Sequence, residues 1–501
     1  MKKIILITLS FLFMFSIGAQ QKPNVIFILA DDLGYGDLSC YGATKISTPN
    51  LDKLASQGVR FTNAHTTSAT CTPSRYAIIT GQYPWRKSGT GVLPGDAALI
   101  VPTNKPTLPK IFKKAGYTTA IVGKWHLGIG TSIKKNWNAK LMPGPNEVGF
   151  DYSFIFPATA DRVPTVFMEN HHVVALDTTD PIHVDYKKKI GNDPTGLENP
   201  ELLKMKASPN HGHNNTIVNG IGRMGFMTGG YRARWTDEEV PLTFLFKANE
   251  FIENNKNTPF FLYYSLTEPH VPRMPSTIFK DKSGLGYRGD VILQLDWAVG
   301  EIMKQLEKLG IEKNTMIVFS SDNGPVLDDG YEDGAVTQLN DHNPWGPFRG
   351  GKYSVFEAGT RVPMMVSWPE TIKPTVSEAV VSQVDLLASF SKLLGVGYNG
   401  DTLDSEDALD ALLGKSNIGR SYLIEQGLKD NLAIIHENWK YIEPSEGPAI
   451  EKHTKIELGK ALFPQLYNLN NDLGETNNLA EKYPEKVKAL REILNDIKTK
   501  N

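Results

Sequence analysis

The chain has 501 residues, of which 40% are hydrophobic and 22% charged, and its formal net charge is −2. These proportions are those of an ordinary folded protein, and they exclude a mainly disordered chain or a coiled coil. Basic residues form no stripe along the sequence, so a nucleic-acid partner is not expected. The length allows one large α/β domain with a smaller companion, or about three average domains.

The first residues have the pattern of a secretory signal peptide. Lys2 and Lys3 precede an apolar run over residues 4–17, and the small residues Gly18 and Ala19 follow. A membrane anchor is the alternative, but the run is short for a membrane span. We therefore predict a signal peptide over residues 1–19 and an exported protein, periplasmic or secreted. No second long apolar segment follows, so no membrane association is expected after signal cleavage.

The sequence after the signal peptide alternates between strand-like and helix-like segments. Short apolar runs that end in polar residues predict strands buried on both faces, at residues 25–30, 118–122, 260–264 and 315–319. Capping signals and apolar spacing predict helices from Thr48 to Gly58, from Thr107 to Gly116 and over residues 290–309. This alternation predicts a doubly wound α/β sheet, in which ligands bind at the carboxyl ends of the strands.

The sequence changes character after about residue 400. Residues 401–410 are acidic and loop-like, and short strands are predicted at 421–426, 432–436 and 440–442, before a charged amphipathic helix from about Leu479. We therefore expect a catalytic α/β domain over residues 20–400 and a smaller C-terminal α+β domain over residues 401–501. The two cysteines, Cys40 and Cys71, are too few for a disulfide framework. One bridge between them is possible, but the residues around Cys71 argue against it.

Two acidic pairs follow predicted strands and indicate a metal site. Asp31-Asp32 follows the first strand, and Asp322-Asn323 follows the fourth. Adjacent carboxylates repel each other, so they need a cation or a basic partner. Their oxygen atoms suit a hard ion such as Ca²⁺ or Mg²⁺. Each pair alone could instead cap a helix or form a turn, but two such pairs at the ends of one sheet favour a metal.

Cys71 lies in a segment with the features of a short helix. Pro73 suits the first turn of that helix, and Gly81 suits its end. A thiol at a helix N-terminus is stabilised as a thiolate, so the local pattern indicates a reactive nucleophile. The alternative is a buried structural cysteine, and the polar neighbours Thr72, Ser74 and Arg75 argue against it.

The segment from Cys71 to Gly81 resembles the signature of type I sulfatases, in which the cysteine is converted to Cα-formylglycine. Further segments resemble the family in the same order along the chain, at residues 23–34, 123–126, 269–272, 321–324, 350–352 and 466–480. The resemblance implies an alkaline-phosphatase-like fold: a large mixed, mostly parallel sheet flanked by helices, with a smaller C-terminal α+β domain. It also implies a sulfuric ester hydrolase with one Ca²⁺ ion, and a formylglycine-generating maturation enzyme as partner.

The same resemblance implies roles for individual residues. The Ca²⁺ ligands would be Asp31, Asp32, Asp322, Asn323 and the modified Cys71. Positive charge around the sulfate group would come from Arg75, Lys124 and Lys352. A hydroxyl of the hydrated aldehyde would attack sulfur, with His126 as the base that later allows sulfate to leave and His270 as the acid for the departing alkoxide. Histidine suits both tasks because its ordinary pKa lies near working pH.

Residues 157–240 form a long insertion that is expected to shape a substrate pocket. Side chains that could grip a sugar by hydrogen bonds or stacking are Asp161, Arg162, His213, Arg223 and Trp235. Each of them could equally be a solvated loop side chain. The expected substrate is a sulfated carbohydrate of the galactose or N-acetylgalactosamine type, with an aryl sulfate as the next candidate. A formylglycine-dependent phosphonate or phosphodiester hydrolase and a non-catalytic relative that binds sulfated glycans are also compatible with the sequence.

Overall fold

The computed structural model describes residues 22–132, 134–209, 211–398, 404–429 and 431–499. The predicted signal peptide therefore lies outside the described residues. Within them, no helix is long and apolar enough to cross a membrane. Cys40 and Cys71 are both free thiols, so the bridge between them does not form.

Strands and α-helices alternate over most of the chain. The strands are β1 (Asn24–Ala30), β2 (Gly58–Phe61), β3 (Ala64–His65), β4 (Thr118–Lys124), β5 (Tyr152–Phe156), β6 (Met168–Glu169), β7 (His172–Val173), β8 (His183–Asp185), β9 (Ile217–Val218), β10 (Ile221–Gly222), β11 (Phe226–Thr228), β12 (Phe260–Ser265), β13 (Thr315–Ser321), β14 (Met364–Ser367), β15 (Thr375–Ser377), β16 (Val381–Ser382), β17 (Tyr422–Gln426), β18 (Leu432–His436), β19 (Trp439–Ile442) and β20 (Gln465–Asn468). The α-helices are α1 (Pro49–Ser56), α2 (Cys71–Thr80), α3 (Leu108–Lys114), α4 (Pro145–Val148), α5 (Val240–Asn255), α6 (Gly286–Leu309), α7 (Glu357–Thr360), α8 (Leu386–Leu394), α9 (Leu409–Leu412) and α10 (Pro484–Thr499).

A ten-stranded sheet forms the centre of the large unit, in the order β15-β2-β14-β13-β1-β12-β4-β5-β6-β7. The five strands β13, β1, β12, β4 and β5 run parallel to their neighbours among themselves. β14, β2, β6 and β7 add antiparallel pairs on both sides of this group. The sheet is therefore mixed and mostly parallel, as predicted.

Both faces of the sheet are covered, which explains the continuous apolar runs in its central strands. In β1, Val25, Phe27 and Leu29 pack into the core on one face. Ile26 and Ile28, which point the other way, pack into a second core on the opposite face. A strand with two buried faces needs apolar residues at every position, so no polar alternation remains.

The first predicted helix differs from the observed one in how it ends. Gly58 is the first residue of β2 and does not cap α1, which ends at Ser56. A Cβ atom at Gly58 would lie 2.1 Å from the carbonyl oxygen of Val366 in β14. Glycine is therefore required at this position by the close approach of two strands. The short strands β2 and β14 themselves were not predicted.

The C-terminal unit contains the antiparallel sheet β17-β18-β19-β20, with α10 packed on it. α10 begins at Pro484, later than the predicted Leu479, because proline lacks an N–H group and fits the first helical turn. Leu409 and Leu412 of α9 belong to the core of the large unit. The predicted boundary at residue 401 stays a prediction, and the packing of α9 leads us to propose that the large unit continues to about residue 420.

Candidate active site

Polar side chains meet at the carboxyl edge of the large sheet. Asp31 and Asp32 directly follow β1, and Asp322 and Asn323 directly follow β13. Lys124 is the last residue of β4. β13, β1, β12 and β4 are consecutive neighbours in the sheet. Because parallel strands end at the same edge, residues nearly 300 positions apart in sequence become neighbours.

Cys71 is the first residue of α2, and Gly81 ends this helix with a left-handed φ of 66°. Arg75 follows Cys71 by one helical turn, so both side chains lie on the same side of α2. The Arg75 Nε atom donates a hydrogen bond to Asp322 Oδ2 at 2.9 Å. α2 thereby brings the cysteine and a buried cation to the acidic end of β13.

Four potential ligands lie close enough together to share one metal ion. One side-chain atom from each of Asp31, Asp32, Cys71 and Asp322 lies within 4.8 Å of the others, and all four residues are buried. Three carboxylates cannot be buried together as anions without positive charge nearby. This arrangement was expected from the sequence for all four residues.

Each of the three carboxylates has its own cation. Lys124 Nζ donates to Asp31 Oδ2 at 2.6 Å, and Lys352 Nζ donates to Asp32 Oδ2 at 2.8 Å. Arg75 pairs with the third carboxylate, that of Asp322. Burial raises the pKa of Asp31 well above its usual range, with Lys124 opposing the rise and Asp322 adding to it. Lys124 therefore does not fully offset the effect of burial on the Asp31 carboxylate.

Two oxygen atoms of the cluster fit a further cation. Asp31 Oδ1 and Asn323 Oδ1 are buried and have no hydrogen-bond partner among the described residues. Buried polar atoms without partners are costly, so they indicate a missing ligand. Carboxylate and amide oxygens are the donors that Ca²⁺ prefers. The residues present therefore fit a hard divalent cation.

The structure does not support the local interpretation of Cys71 as a thiolate. Burial raises the pKa of the Cys71 thiol well above its ordinary value. Lys124 and Lys352 lower this pKa, but Asp322 and Asp31 raise it again. The helix N-terminus is thus outweighed by burial beside carboxylates, and an unmodified Cys71 remains a thiol at neutral pH.

A cavity of about 310 Å³ opens above Cys71, and His126, His270 and Lys352 line its inner part. Burial lowers the pKa of His126 well below its usual range, and Lys124 and Arg162 lower it further. Burial, followed by Lys352, also lowers the pKa of His270. Both histidines are therefore neutral near pH 7 in the substrate-free protein.

The hydrogen bonds of these two histidines define their free nitrogen atoms. His126 Nε2 donates to the carbonyl oxygen of Leu93 at 2.9 Å, which leaves the Nδ1 lone pair without a partner among the described residues. His270 Nδ1 donates to the carbonyl oxygen of Val271 at 2.7 Å. The opposite atom, His270 Nε2, lies 3.8 Å from Asp32 Oδ2. Each imidazole thus has one nitrogen available for proton transfer.

The sequence model of the family described as Sulfatase matches residues 23–396. The chain belongs to the sulfatase family. It is 54% identical over 482 residues to an N-acetylgalactosamine-6-O-sulfatase of Bacteroides thetaiotaomicron, covering 96% of this chain and 94% of the relative. It is 30% identical over 505 residues to arylsulfatase A of Homo sapiens, covering 95% of this chain and 88% of that one. The predicted family and enzyme class, a sulfuric ester hydrolase, are confirmed.

A solved structure from work on glycosaminoglycan metabolism by Bacteroides thetaiotaomicron has the same fold. It matches this sulfatase with a TM-score of 0.94 at 54% identity, and covers 96% of this chain and 100% of that chain. The match extends through both the large sheet and the C-terminal sheet. The predicted alkaline-phosphatase-like architecture with a smaller C-terminal unit is thereby confirmed.

Three of the predicted sugar-binding residues of the sulfatase line the cavity: Asp161, Arg162 and His213. His213 Nε2 donates to Asp161 Oδ2 at 3.0 Å, and Arg162 Nε lies 3.5 Å from the same oxygen. Arg162 and His213 hold the pKa of Asp161 well below its usual range, although burial alone would raise it. Asp161 is therefore an ionised acceptor inside the cavity.

The other two predicted sugar-binding residues lie elsewhere, which corrects the prediction. Arg223 is fully buried and donates to Asp237 Oδ2 at 2.5 Å and to the carbonyl oxygen of Ala160 at 2.6 Å. Trp235 is buried as well, and its Nε1 donates to Asp237 Oδ1 at 3.2 Å. Both side chains hold the insertion together, because the Asp237 carboxylate accepts a hydrogen bond from each of them.

Arg75 and Lys124 contact the acidic cluster, and their predicted role beside the sulfate group stays a prediction. Neither lines the cavity, since each lies behind the carboxylate to which it donates. Of the three predicted sulfate-binding cations, Lys352 alone lines the cavity. Its pKa is raised well above the usual range, because Asp32 and Asp329 outweigh the effect of burial. Lys352 is therefore a cation at any physiological pH.

Several cavity residues were not predicted from the sequence. Asp329 Oδ2 accepts from Lys352 Nζ at 2.7 Å, and Asp329 Oδ1 accepts from the Tyr353 hydroxyl at 3.1 Å. Tyr353 directly follows the Gly-Gly-Lys segment that carried part of the family resemblance, so its position could have been inferred. Asp329 sits in an Asp-Asp-Gly sequence that has the composition of an ordinary turn.

Proposed function

We propose that this sulfatase removes the 6-sulfate from N-acetylgalactosamine units of a sulfated glycan. The observation that carries the proposal is the 54% identity, over 96% of the chain, to a relative described as an N-acetylgalactosamine-6-O-sulfatase. The cavity of about 310 Å³ supports it, because this volume lies at the lower end of the range of about 300–1,000 Å³ for small-ligand pockets. A single sugar ring with its sulfate suits such a volume.

We infer that one Ca²⁺ ion is held by Asp31, Asp32, Asp322 and Asn323, and that Cys71 is oxidised to formylglycine. An oxygen atom then takes the position of the Cys71 Sγ atom, which is a better match for a hard cation than sulfur. The bound ion and the hydrated aldehyde would supply positive charge and an oxygen nucleophile. The unpaired Asp31 Oδ1 and Asn323 Oδ1 atoms support this assignment.

Lys352, Lys124 and Arg75 have different electrostatic roles in this proposal. Lys352 lies in the cavity and donates to the non-bridging oxygens of the sulfate, which it holds in place as negative charge shifts in the transition state. Lys124 and Arg75 donate to Asp31 and Asp322 and hold these two carboxylates in position beside the proposed ion. Asp329 and Asp32 together orient Lys352, because both carboxylates accept from its ammonium group.

The two histidines act at different atoms. The free Nδ1 lone pair of His126 accepts a proton when sulfate leaves the enzyme. Once substrate is bound, His270 takes up a proton on Nε2 and donates it to the sugar oxygen as the S–O bond of the ester breaks. Burial, followed by Lys352, lowers the pKa of His270 in the free enzyme, and the negative charge of a bound sulfate ester shifts this pKa upward.

Asp161, Arg162 and His213 bind the sugar ring in this proposal. Asp161 accepts hydrogen bonds from sugar hydroxyls, and Arg162 and His213 fix its orientation.

Export and maturation complete the proposed function. Residues 1–19 direct export to the periplasm or the exterior, and a formylglycine-generating enzyme is the maturation partner.

A panel of position-defined sulfated sugars tests the substrate. We expect release of sulfate from N-acetylgalactosamine 6-sulfate with a kcat/KM at least about tenfold above that for the 4-sulfate and for an aryl sulfate, since loss of one positioned hydrogen bond has an effect of about this size. A preference for the aryl sulfate would make the protein an arylsulfatase. Faster cleavage of an aryl phosphodiester would make it a phosphodiester hydrolase.

Peptide mass analysis tests the cofactor assignment. A tryptic peptide that contains Cys71, prepared from protein made in its native host, should carry the mass of formylglycine. The Cys71→Ala variant should be inactive on every sulfate ester. If Cys71 remains wholly a thiol in that host, the protein is instead a non-catalytic binder of sulfated glycans.

A further inference from the structure

The outer part of the cavity is formed by residues that the proposed chemistry does not use. His211, in the insertion, and His453, in the turn formed by residues 450–457, both line the cavity. Ile450 and Glu457 close this turn through an antiparallel bridge. Both histidines are half-buried, whereas Cys71 is buried. They therefore lie at the mouth of the cavity, where substrate enters.

The two imidazole rings lie together, and their nitrogen atoms are unused. The ring centroids of His211 and His453 are 4.6 Å apart at an interplanar angle of 61°. Within the described part of the chain, neither ring has a hydrogen-bond partner. The His211 ring also lies 6.3 Å from that of His213, which binds Asp161. The pair thus continues the sugar-binding surface outward.

The carboxylates nearest to this pair already have donors. Glu451 Oε2 accepts from the backbone N–H groups of His453 and Thr454 at 2.6 and 2.7 Å. Asp328 Oδ1 accepts from the Ser208 hydroxyl at 2.7 Å. Asp329 is held by Lys352 and Tyr353. The groups at the mouth that have no partner among the described residues are therefore the imidazole N–H donors of His211 and His453. Lys452, which directly precedes His453 in the sequence, is exposed.

The position and chemistry of the pair point to a ligand. In the proposed function the sulfated sugar occupies the inner part of the cavity, beside Cys71, so the sugar joined to it lies nearer the mouth. Two adjacent N–H donors with an exposed lysine nearby suit an oxyanion. We propose that His211 and His453 bind the carboxylate or sulfate of the sugar joined to the sulfated one, so that the enzyme selects acidic glycans. This inference rests on the proposed function.

Matched substrates test the inference. The first is the methyl glycoside of N-acetylgalactosamine 6-sulfate, and the others are disaccharides that join this sugar to glucose, to glucuronate or to a sulfated glucose. We expect kcat/KM for at least one acidic disaccharide to exceed that for the glucose disaccharide by about tenfold, the effect of one hydrogen bond to a charged group. The acidic disaccharide with the larger advantage identifies whether a carboxylate or a sulfate is bound.

Three variants assign the preference to the histidine pair. In His211→Ala and His453→Ala, the ratio of acidic to neutral disaccharide should fall close to one, while kcat/KM for the methyl glycoside stays within about twofold of wild type. His183→Ala is the control, because His183 on β8 is exposed and lies outside the cavity. Equal rates for acidic and neutral disaccharides in wild type overturn the inference. If the preference for the acidic disaccharide remains in both His211→Ala and His453→Ala, the inference is also wrong.

Binding measurements separate this inference from the proposed function. The Cys71→Ala variant, which has no nucleophile at this position, permits calorimetric titration with the same disaccharides without turnover. If acidic disaccharides bind more tightly and this depends on His453, but wild type does not hydrolyse them, the proposed function fails and the inference stands. If the 6-sulfate is hydrolysed without any preference for acidic neighbours, the inference fails and the proposed function stands.

Discussion

Replacing Asp322 by asparagine separates its structural role from its proposed role as a calcium ligand. Asp322 Oδ2 accepts from Arg75 Nε at 2.9 Å and lies 2.8 Å from Arg75 Nη2, and both side chains are buried. A hydrogen bond that involves a charged group contributes about 1.5–3 kcal/mol, and a neutral one about 0.5–1.5 kcal/mol. Loss of the charge across these two contacts should therefore lower the free energy of unfolding by about 2–3 kcal/mol.

The effect on calcium binding adds to this loss. Calcium at one hundred times its Kd stabilises the folded protein by about 2.7 kcal/mol. If loss of one ligand charge weakens binding about a hundredfold, the same calcium concentration contributes only about 0.4 kcal/mol. Chemical unfolding with calcium and with a chelator measures both quantities. We expect the calcium-dependent stabilisation of Asp322→Asn nearly to vanish, together with activity.

Asp37→Asn is the matched control. Asp37 is buried and accepts from Arg288 Nη1 and Nη2 at 2.6 Å, an ion pair of the same type outside the acidic cluster. This variant should lose comparable stability and keep the full calcium-dependent stabilisation. If Asp322→Asn retains the calcium effect of wild type, Asp322 is not a calcium ligand and the assignment of the cluster is wrong.

Three further predictions concern residues with assigned positions. His270→Ala should reduce kcat/KM for alkyl sulfates at least about tenfold more than for aryl sulfates, which need less protonation, and equal losses would remove His270 from the acid role. Burial, opposed by Lys440 and reinforced by Glu357, raises the pKa of Glu475 from 4.5 to about 8. The folded protein thus binds this proton more tightly than the unfolded chain, so the free energy of unfolding decreases as pH rises from 4.5 to about 8. Over this pH range, the Tm of Glu475→Gln should fall less than the Tm of wild type. Arg223→Met should lower the free energy of unfolding by about 3–5 kcal/mol, because Asp237 loses its buried partner. KM should stay within about twofold of wild type, and a much larger KM would show that Arg223 contacts the substrate.

Much of the fold and of the metal cluster could be predicted because each depends on rules that act locally. The apolar run of β1 is fully buried because both sheet faces are covered, and its abrupt end places Asp31 and Asp32 at the carboxyl edge. β13 obeys the same rule, so Asp322 and Asn323 arrive at the same edge. The convergence of these residues follows from parallel strand order, without knowledge of the loops.

The cavity walls could not be predicted in this way, because they depend on which loops dock together. Arg223 and Trp235 have side chains suited to a sugar, yet both are buried against Asp237. Nothing in the local sequence distinguishes them from Asp161, which does line the cavity. Asp329 and His453 lie in turns without periodicity, and only the packing of distant segments gives them their positions.

The C-terminal unit is better understood as part of the catalytic structure than as an appendage. Gln426 of β17 pairs with the segment before Cys71, since its N–H donates to the Thr67 carbonyl and its own carbonyl accepts from Ala69. Lys440 of β19 donates to Glu357 at 2.9 Å, and Glu357 lies five residues after Lys352. Lys440 also lies 2.9 Å from Glu425 of β17. Removal of the C-terminal sheet would leave Glu357 without Lys440, its buried partner. The segments that carry Cys71 and Lys352 would also lose contacts that hold them in place, so the large sheet alone should not form a working site.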